Sequence, residues 1–157
     1  MSEAFRNGAP AELWQALVQE AGERAGQRLD EWREAHLVFV LLRYQREGEL
    51  LSHTQALAWL HAHAQAGQWR NECLQRVGDE CLLIAGMFPA LAQRRRVSVD
   101  YFIELGRGAY HEVAEHSGRE TSSFYGMLAR SYRQLVLVLR QLRKVPGPLV
   151  LGSSPVS

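Results

Sequence analysis

Apolar residues recur along this chain every three or four positions, which is the spacing of one face of an α-helix. The first such segment begins at Pro10, a residue suited to the first turn of a helix. Its apolar positions are Leu13, Trp14, Leu17, Val18 and Ala21. A second segment spans about Leu29 to Gln45, and its run LVFVLL at residues 37–42 is apolar on every side. A helix that is apolar all round is normally buried, so we expect neighbours to cover this turn completely.

A central helix is predicted over residues 68–88. A shorter helix precedes it, capped by Ser52 or Thr54 and extending to about Gln65. The last turns of the 68–88 helix are apolar on nearly every side, which predicts the most deeply covered helix of the fold. Pro89 ends this helix, because a proline disfavours the helical conformation of the residue before it.

Two further helices complete the pattern. Ser98 is a suitable N-cap for a helix that ends near His116, and Thr121 or Ser122 caps a last helix that reaches Lys144. The inner face of that last helix consists of Phe124, Leu128, Leu135, Leu139 and Leu142. No strand-like alternation appears. The sequence therefore predicts an all-α fold, a compact bundle of five to six helices, in one domain over residues 10–145 between flexible segments at 1–9 and 146–157.

Glycines inside the predicted helices indicate close helix packing. Gly78 and Gly86 lie on the central helix, and Gly106 and Gly108 lie on the next long one. Each costs about 0.8–1 kcal/mol relative to alanine in a helix interior. We expect the two helices to pack antiparallel, with the glycines where their backbones approach.

Composition and charge narrow the class of protein. A chain of 157 residues can bury a full hydrophobic core, so no metal or disulfide is needed to stabilise it. Cys73 and Cys81 lie about 12 Å apart on one predicted helix, too far for a bridge within it. We interpret them as reduced, buried thiols of a cytoplasmic protein, because the N-terminus lacks an export signal and no apolar run is long enough for a membrane span.

The charge is unevenly distributed. Residues 1–120 carry a net −4, whereas the residues after Glu120 carry +5 and no acid. One predicted basic face of the last helix holds Arg130, Arg133, Arg140 and Lys144, with Leu137 among them. This face is suited to an acidic protein partner or a second copy of the chain. A solvated face, or docking on the protein's own acidic body, explains the same pattern.

Histidines and cysteines do not form a recognisable catalytic or metal motif. His111 and His116 are five positions apart, so they do not converge on one ion as histidines four apart do. A ladder of ion pairs at (i, i+4) explains this segment better, with His111 on the polar face and His116 on the apolar face. His61 and His63 point in nearly opposite directions. No nucleophile, phosphate-loop or dinucleotide motif occurs, so we expect no metal and no cofactor, and a non-enzymatic protein is favoured.

Three consecutive arginines follow the central helix. Arg94, Arg95 and Arg96 could bind phosphate or nucleic acid. The overall charge is nevertheless far from that of a basic domain, and no helix-turn-helix is evident, so nucleic acid is disfavoured as a partner.

The segment from residue 78 to residue 110 resembles an uncharacterised family of small all-α bacterial proteins of unknown function. The resemblance rests on the pattern GDxxLxxxGxF, then VDYx, then GxxAY. The matching residues are Gly78, Asp79, Leu82, Gly86, Phe88, Val99, Asp100, Tyr101, Gly106, Ala109 and Tyr110. Phe102 stands where the family pattern has a second tyrosine. The resemblance implies a helical fold and brings no activity with it.

The polar residues of this pattern have two interpretations. Asp79, Asp100, Tyr101 and Tyr110 form either a hydrogen-bonded cluster that braces the helices or the lining of a small-ligand pocket. Taken together, these observations predict an interaction or regulatory module that acts as a homodimer. The alternative is a helical pocket protein for a small apolar ligand, or an enzyme of an unrecognised kind.

Overall fold

The fold is all-α, as the sequence predicts. The computed structural model describes residues 10–47 and 54–144, and 85% of these residues are helical, with no strand among them. Eight helices occur in this part of the chain, so the prediction of five to six was too low. They are α1 (Pro10–Ala25), α2 (Glu31–Glu47), α3 (Gln55–His63), α4 (Gly67–Met87), α5 (Pro89–Arg94), α6 (Val99–Glu115), α7 (Arg119–Arg130) and α8 (Tyr132–Arg143). The segments predicted to be flexible, 1–9 and 146–157, lie outside the described residues.

The helices group into two compact units. The first contains α1, α2 and the part of α8 from Leu137 onward, and the second contains α3 to α7 with the beginning of α8. This grouping by contacts does not test whether residues 10–145 fold as one domain, which stays a prediction.

In the first unit, α1 and α2 form an antiparallel hairpin. The indole nitrogen of Trp14 donates to Gln45 Oε1 at 3.0 Å, and Gln19 Nε2 donates to Glu34 Oε1 at 3.1 Å. The residue earlier in α1 contacts the residue later in α2, and the residue later in α1 contacts the one earlier in α2, as in an antiparallel pair. The buried apolar residues of this hairpin are Trp14, Val18, Ala21, Leu29, Leu37, Val40 and Leu41.

One face of α2 remains exposed, contrary to the prediction that its LVFVLL turn is covered on all sides. Phe39 is 50% exposed, and Trp32, which lies two helical turns earlier, is 68% exposed. The prediction was wrong because periodicity shows that every side is apolar but not how many neighbours are available to cover them.

In the second unit, α4 is the central helix. All its residues from Val77 to Met87 are buried, as the all-round apolar pattern predicts. It packs antiparallel against α6, because Arg70 Nη2 contacts Glu112 Oε1 at 3.0 Å near one end and Gly106 adjoins Cys81 further along. The predicted antiparallel pairing of these two helices is therefore confirmed.

Glycines do mark the close approach of helices, at two of the four positions named above. A Cβ at Gly78 would overlap the ring of Tyr110, and a Cβ at Gly106 would lie 2.7 Å from Cys81 Cβ and against the Tyr132 hydroxyl. Gly108 has no neighbouring atom within 4 Å, so the prediction fails there. Gly86 is buried within α4.

The turn between α4 and α6 follows its local signals. Phe88 leaves the helical region with φ −132° and ψ 55°, as a residue before proline should. Pro89 then begins α5, a short helix of six residues. The Ser98 hydroxyl caps α6 by accepting from the Tyr101 amide at 3.0 Å, which confirms the predicted N-cap.

The long C-terminal helix predicted from Thr121 or Ser122 to Lys144 is two helices. Gly118, rather than either hydroxyl residue, is the N-cap of α7, which begins at Arg119. The chain leaves the helix at Ser131, whose Oγ donates to the Met127 carbonyl at 2.8 Å. A serine that bonds back to the preceding turn competes with the helix ladder, and such bonds often bend helices.

Candidate functional site

A buried carboxylate and a buried phenol meet where α4 packs on α6. The Tyr110 hydroxyl donates a hydrogen bond to Asp79 Oδ1. Asp79 is 1% exposed and Tyr110 is fully buried. These two side chains belong to the polar cluster predicted from the sequence, and the structure places them in direct contact.

Two further tyrosines complete this group, which we call the tyrosine cluster: Asp79, Tyr110, Tyr125 and Tyr132. Tyr125 of α7 and Tyr132 of α8 stand edge-on to the Tyr110 ring, with centroids 5.2 and 5.4 Å away. Edge-to-face contacts of this kind stabilise aromatic pairs beyond the area they bury. The sequence interpretation missed both residues. The three- and four-residue spacing of Tyr125, Leu128, Tyr132 and Leu135 is the signal that could have found them.

A second series of hydrogen-bonded polar side chains, separate from the tyrosine cluster, also involves a residue of α4. Gln55 Nε2 donates to Glu80 Oε1 at 3.0 Å, and Arg95 Nη1 donates to Gln55 Oε1 at 2.5 Å. Gln55 and Glu80 are buried. Arg95 therefore turns toward the interior, whereas Arg94 and Arg96 are exposed. The structure does not bring the three arginines together as one phosphate-binding surface.

Burial favours the neutral form of two phenols of the cluster, those of Tyr110 and Tyr132. Burial raises the pKa of Tyr110 well above its usual range, and the adjacent Asp79 carboxylate raises it further. Burial likewise raises the pKa of Tyr132. The pKa of the Cys81 thiol, which lies nearby on α4, is raised by burial and then by Glu80. A phenol or thiol that stays protonated is a hydrogen-bond donor rather than a base or nucleophile.

Asp100 and Tyr101, the other two residues of the predicted cluster, lie elsewhere. Asp100 is exposed in the first turn of α6, and Tyr101 is 41% exposed. Arg133 of α8 contacts Asp100 Oδ1 at 3.2 Å and Glu104 Oε2 at 3.1 Å. Hydrogen bonds from Arg107, and from Arg133, lower the pKa of Glu104. Arg133 is thus paired on the surface with two acidic residues of its own chain.

The remaining residues of the predicted basic face do not lie on one continuous helix. Arg130 is exposed in the last turn of α7, and the chain leaves the helix immediately after it. On α8, Leu137 is 40% exposed and Arg140 is partly exposed.

The histidines form the predicted (i, i+4) pairs. His111 Nε2 lies 3.1 Å from Glu115 Oε2, and His116 Nδ1 lies 3.8 Å from Glu112 Oε1. The prediction that His116 faces the apolar side was wrong, because it follows the last turn of α6 as its C-cap and is exposed. Within residues 10–47 and 54–144, no group of three histidine, cysteine or acidic residues is arranged to hold a metal ion.

An open groove of about 450 Å³ lies between the start of α4 and the α6–α7 connection. Asn71, one of its lining residues, donates to the His116 carbonyl at 3.1 Å and to Ser117 Oγ at 3.2 Å. Polar or glycine residues form its lining: Gly67, Gln68, Asn71, Glu72, Gln75, His116, Ser117, Gly118 and Thr121. This lining does not suit an apolar ligand.

Comparisons of the chain with protein-family models, with curated proteins and with solved structures give no significant match. The resemblance at residues 78–110 therefore stays a prediction. Among the described residues, no helix combines the length and the apolar character that crossing a bilayer requires.

Proposed function

We propose that this chain is a non-enzymatic interaction or regulatory module that acts as a homo-oligomer in the bacterial cytoplasm. The observation that carries the proposal is the exposed apolar face of α2. Large aromatic side chains are rarely left in water without a reason when they lie on one helix face, and contiguous apolar surface marks interaction sites. Trp32 and Phe39, at 68% and 50% exposure, lie two helical turns apart on one face of α2.

The tyrosine cluster supports a bracing role rather than catalysis. Its carboxylate and phenols are buried, so a substrate would have to displace packed rings to reach them. Burial also raises the pKa values of Tyr110 and Tyr132, which disfavours the phenolate form that a catalytic tyrosine base would need. Both properties favour a structural role for the most unusual polar residues of the chain.

The alternative functions have less support. A small apolar ligand does not match the polar groove, and an enzyme acting through Asp79 and Tyr110 would need access to buried groups. An acidic partner at the basic face would have to compete with Asp100 and Glu104 for Arg133.

Light scattering coupled to size-exclusion chromatography tests the proposal. The expected mass is twice 17.8 kDa at high protein concentration, falling toward 17.8 kDa on dilution. A mass of 17.8 kDa at every concentration would overturn it. Native mass spectrometry of the same sample addresses the alternative, because a small molecule retained after purification would favour the pocket function.

A further inference from the structure

The exposed residues of α2 follow the spacing of a coiled-coil seam. Trp32, Ala35, Phe39 and Leu42 are separated by three, four and three positions, which is the heptad repeat. The first three are exposed and Leu42 is partly exposed, while Leu37, Val40 and Leu41 on the other side of the helix are buried. We call these four residues, Trp32, Ala35, Phe39 and Leu42, the α2 stripe.

We propose that the α2 stripe is the contact between two copies of the chain, with the two α2 helices packed antiparallel about a twofold axis near Leu37. This inference rests on the proposed homo-oligomeric function and names the surface and orientation that carry it. The second copy is the occupant because the side-chain volumes of the stripe, and the charges that flank it on α2, are complementary to those of a second copy.

The volumes alternate so that two copies interlock. In an antiparallel pair centred on Leu37, residues whose numbers are equally far from 37 stand level with each other. Ala35, the smallest side chain of the stripe, then stands opposite Phe39 of the second copy. Trp32 stands opposite Leu42 of the second copy. Each layer pairs side chains of different size, which is how facing helices fill the space between them.

The charges select the antiparallel orientation. Glu31 and Glu34 lie in the first turn of α2, and Arg43 lies near its other end, with its guanidinium 5.4 Å from the centre of the Phe39 ring. The antiparallel pair places Glu31 level with Arg43 of the second copy and aligns the helix dipoles favourably. A parallel pair would place Glu31 beside Glu31 and Arg43 beside Arg43.

The contact is small for a stable dimer. A stripe of four residues on each copy buries less than the roughly 800 Å² per partner of a standard interface. We therefore expect a reversible dimer, whose dissociation is measured by sedimentation equilibrium over a wide range of protein concentration.

Phe39→Glu tests the surface directly. The substitution places a charge at the centre of the stripe, opposite Ala35, and we expect the dissociation constant to rise about 30-fold or more, as for loss of an aromatic hot spot. Leu57→Glu is the matched control, because Leu57 on α3 is similarly exposed, at 66%, and lies outside the stripe. Circular dichroism melts of both variants establish that each is folded.

Glu31→Arg tests the orientation. In the antiparallel dimer it brings two arginines level and weakens association, and Arg43→Glu added to it restores part of the loss. In a parallel dimer position 31 would face itself, so Glu31→Arg would exchange one like-charge pair for another and leave association nearly unchanged, which would overturn the proposed orientation. A wild-type dimer that Phe39→Glu leaves intact would overturn the α2 interface alone, whereas a monomeric wild type would overturn the proposed function with it.

Discussion

The hydroxyl of Tyr132 donates a 2.7 Å hydrogen bond to the backbone carbonyl of Gly78, joining positions 54 residues apart. The same hydroxyl occupies the space that a side chain on Gly106 would fill. The Tyr132 hydroxyl thus contacts two helices, and each of these helices has a glycine at the position where a tyrosine side chain packs against it. The stability of the second unit should depend on this contact.

Tyr132→Phe removes the donor and keeps the ring. We expect a loss of about 1 kcal/mol in the free energy of unfolding, the usual net contribution of a hydrogen bond. Urea denaturation measures it. Tyr101→Phe is the control, because Tyr101 is 41% exposed and water solvates it, so its removal should change little. Equal effects of the two substitutions would contradict a special role for Tyr132.

Gly106→Ala should destabilise the protein, because its Cβ would collide with the Tyr132 hydroxyl and with Cys81 Cβ. Overpacking of this kind typically costs about 1–3 kcal/mol. Gly108→Ala, two positions away on α6, meets no atom within 4 Å and should instead stabilise by about 0.4–1 kcal/mol through helix propensity. Thermal melts of Gly106→Ala and Gly108→Ala measure the two effects. The larger substitution Gly106→Leu should lower the melting temperature further. An unchanged melt of Gly106→Leu would refute close packing at this glycine.

Stability should fall at alkaline pH. The folded pKa values of Tyr110, Tyr132 and Cys81 are raised above those of the unfolded chain, so the folded protein retains protons that the unfolded chain releases. Stability is therefore intact below the unfolded pKa values, near about 8.5 for cysteine and about 10 for tyrosine, and is lost as pH rises above them. Each group contributes a slope of up to about 1.4 kcal/mol per pH unit. Urea denaturation at a series of pH values measures how the free energy of unfolding changes with pH. Tyr132→Phe should reduce this slope by the contribution of one ionisable group.

Arg96→Gly should stabilise the turn after α5. Arg96 has φ +60°, a left-handed conformation that costs roughly 1–2 kcal/mol for a residue with a side chain. The amides of Arg96 and Val97 bond to the carbonyls of Gln93 and Ala92, the pattern of a Schellman C-cap, where glycine is the preferred residue. We expect a gain of about 1 kcal/mol or less in thermal melts.

Gly26→Ala, in the turn after α1, is the reciprocal test of this backbone explanation. Gly26 has φ +68°, and a methyl group added to its Cα would meet no atom within 4 Å, so only the backbone conformation opposes an alanine there. It should therefore destabilise while Arg96→Gly stabilises. The same sign for both changes would contradict the backbone explanation.

The two thiols should differ in their reaction with a disulfide reagent. Burial raises the pKa of both thiols, but Cys81 is buried whereas Cys73 is partly exposed. We expect the native protein to react slowly and at Cys73 alone, because the thiolate is the reactive form. Cys73→Ser should remove this reaction, and urea should reveal the remaining thiol. Fast native labelling of Cys73→Ser would contradict the burial of Cys81.

Local signals in the sequence predicted the fold best where a single residue fixes the backbone. Ser98 caps α6 and Pro89 terminates α4 because a hydroxyl and a pyrrolidine ring act on their immediate neighbours. The break at Ser131 escaped prediction because serine is compatible with a helix. The end of α7 shows only in the backbone of Ser131, with φ −104° and ψ 17°, and in the hydrogen bond to Met127.

The candidate site was predicted only in part. Asp79 and Tyr110 were named correctly as neighbours because they lie on two helices that glycines bring together. Tyr132 was missed because its role depends on a helix far along the chain, which periodicity cannot position. The exposure of Trp32 and Phe39 could not be predicted either, since an apolar pattern does not say which side lacks a neighbour.

The fit of tyrosines into glycine positions also limits how the second unit can move. Sliding α4 along its axis by one turn, about 5.4 Å, would bring Leu74 or Leu82, which lie four positions away on the same face, to the place where Gly78 meets the Tyr110 ring. Sliding α6 would likewise bring a larger side chain than that of Gly106 against Tyr132. Piston-like shifts of these helices are therefore blocked in both directions. A rearrangement of α4 against α6 would therefore have to rotate or separate the two helices rather than slide one past the other.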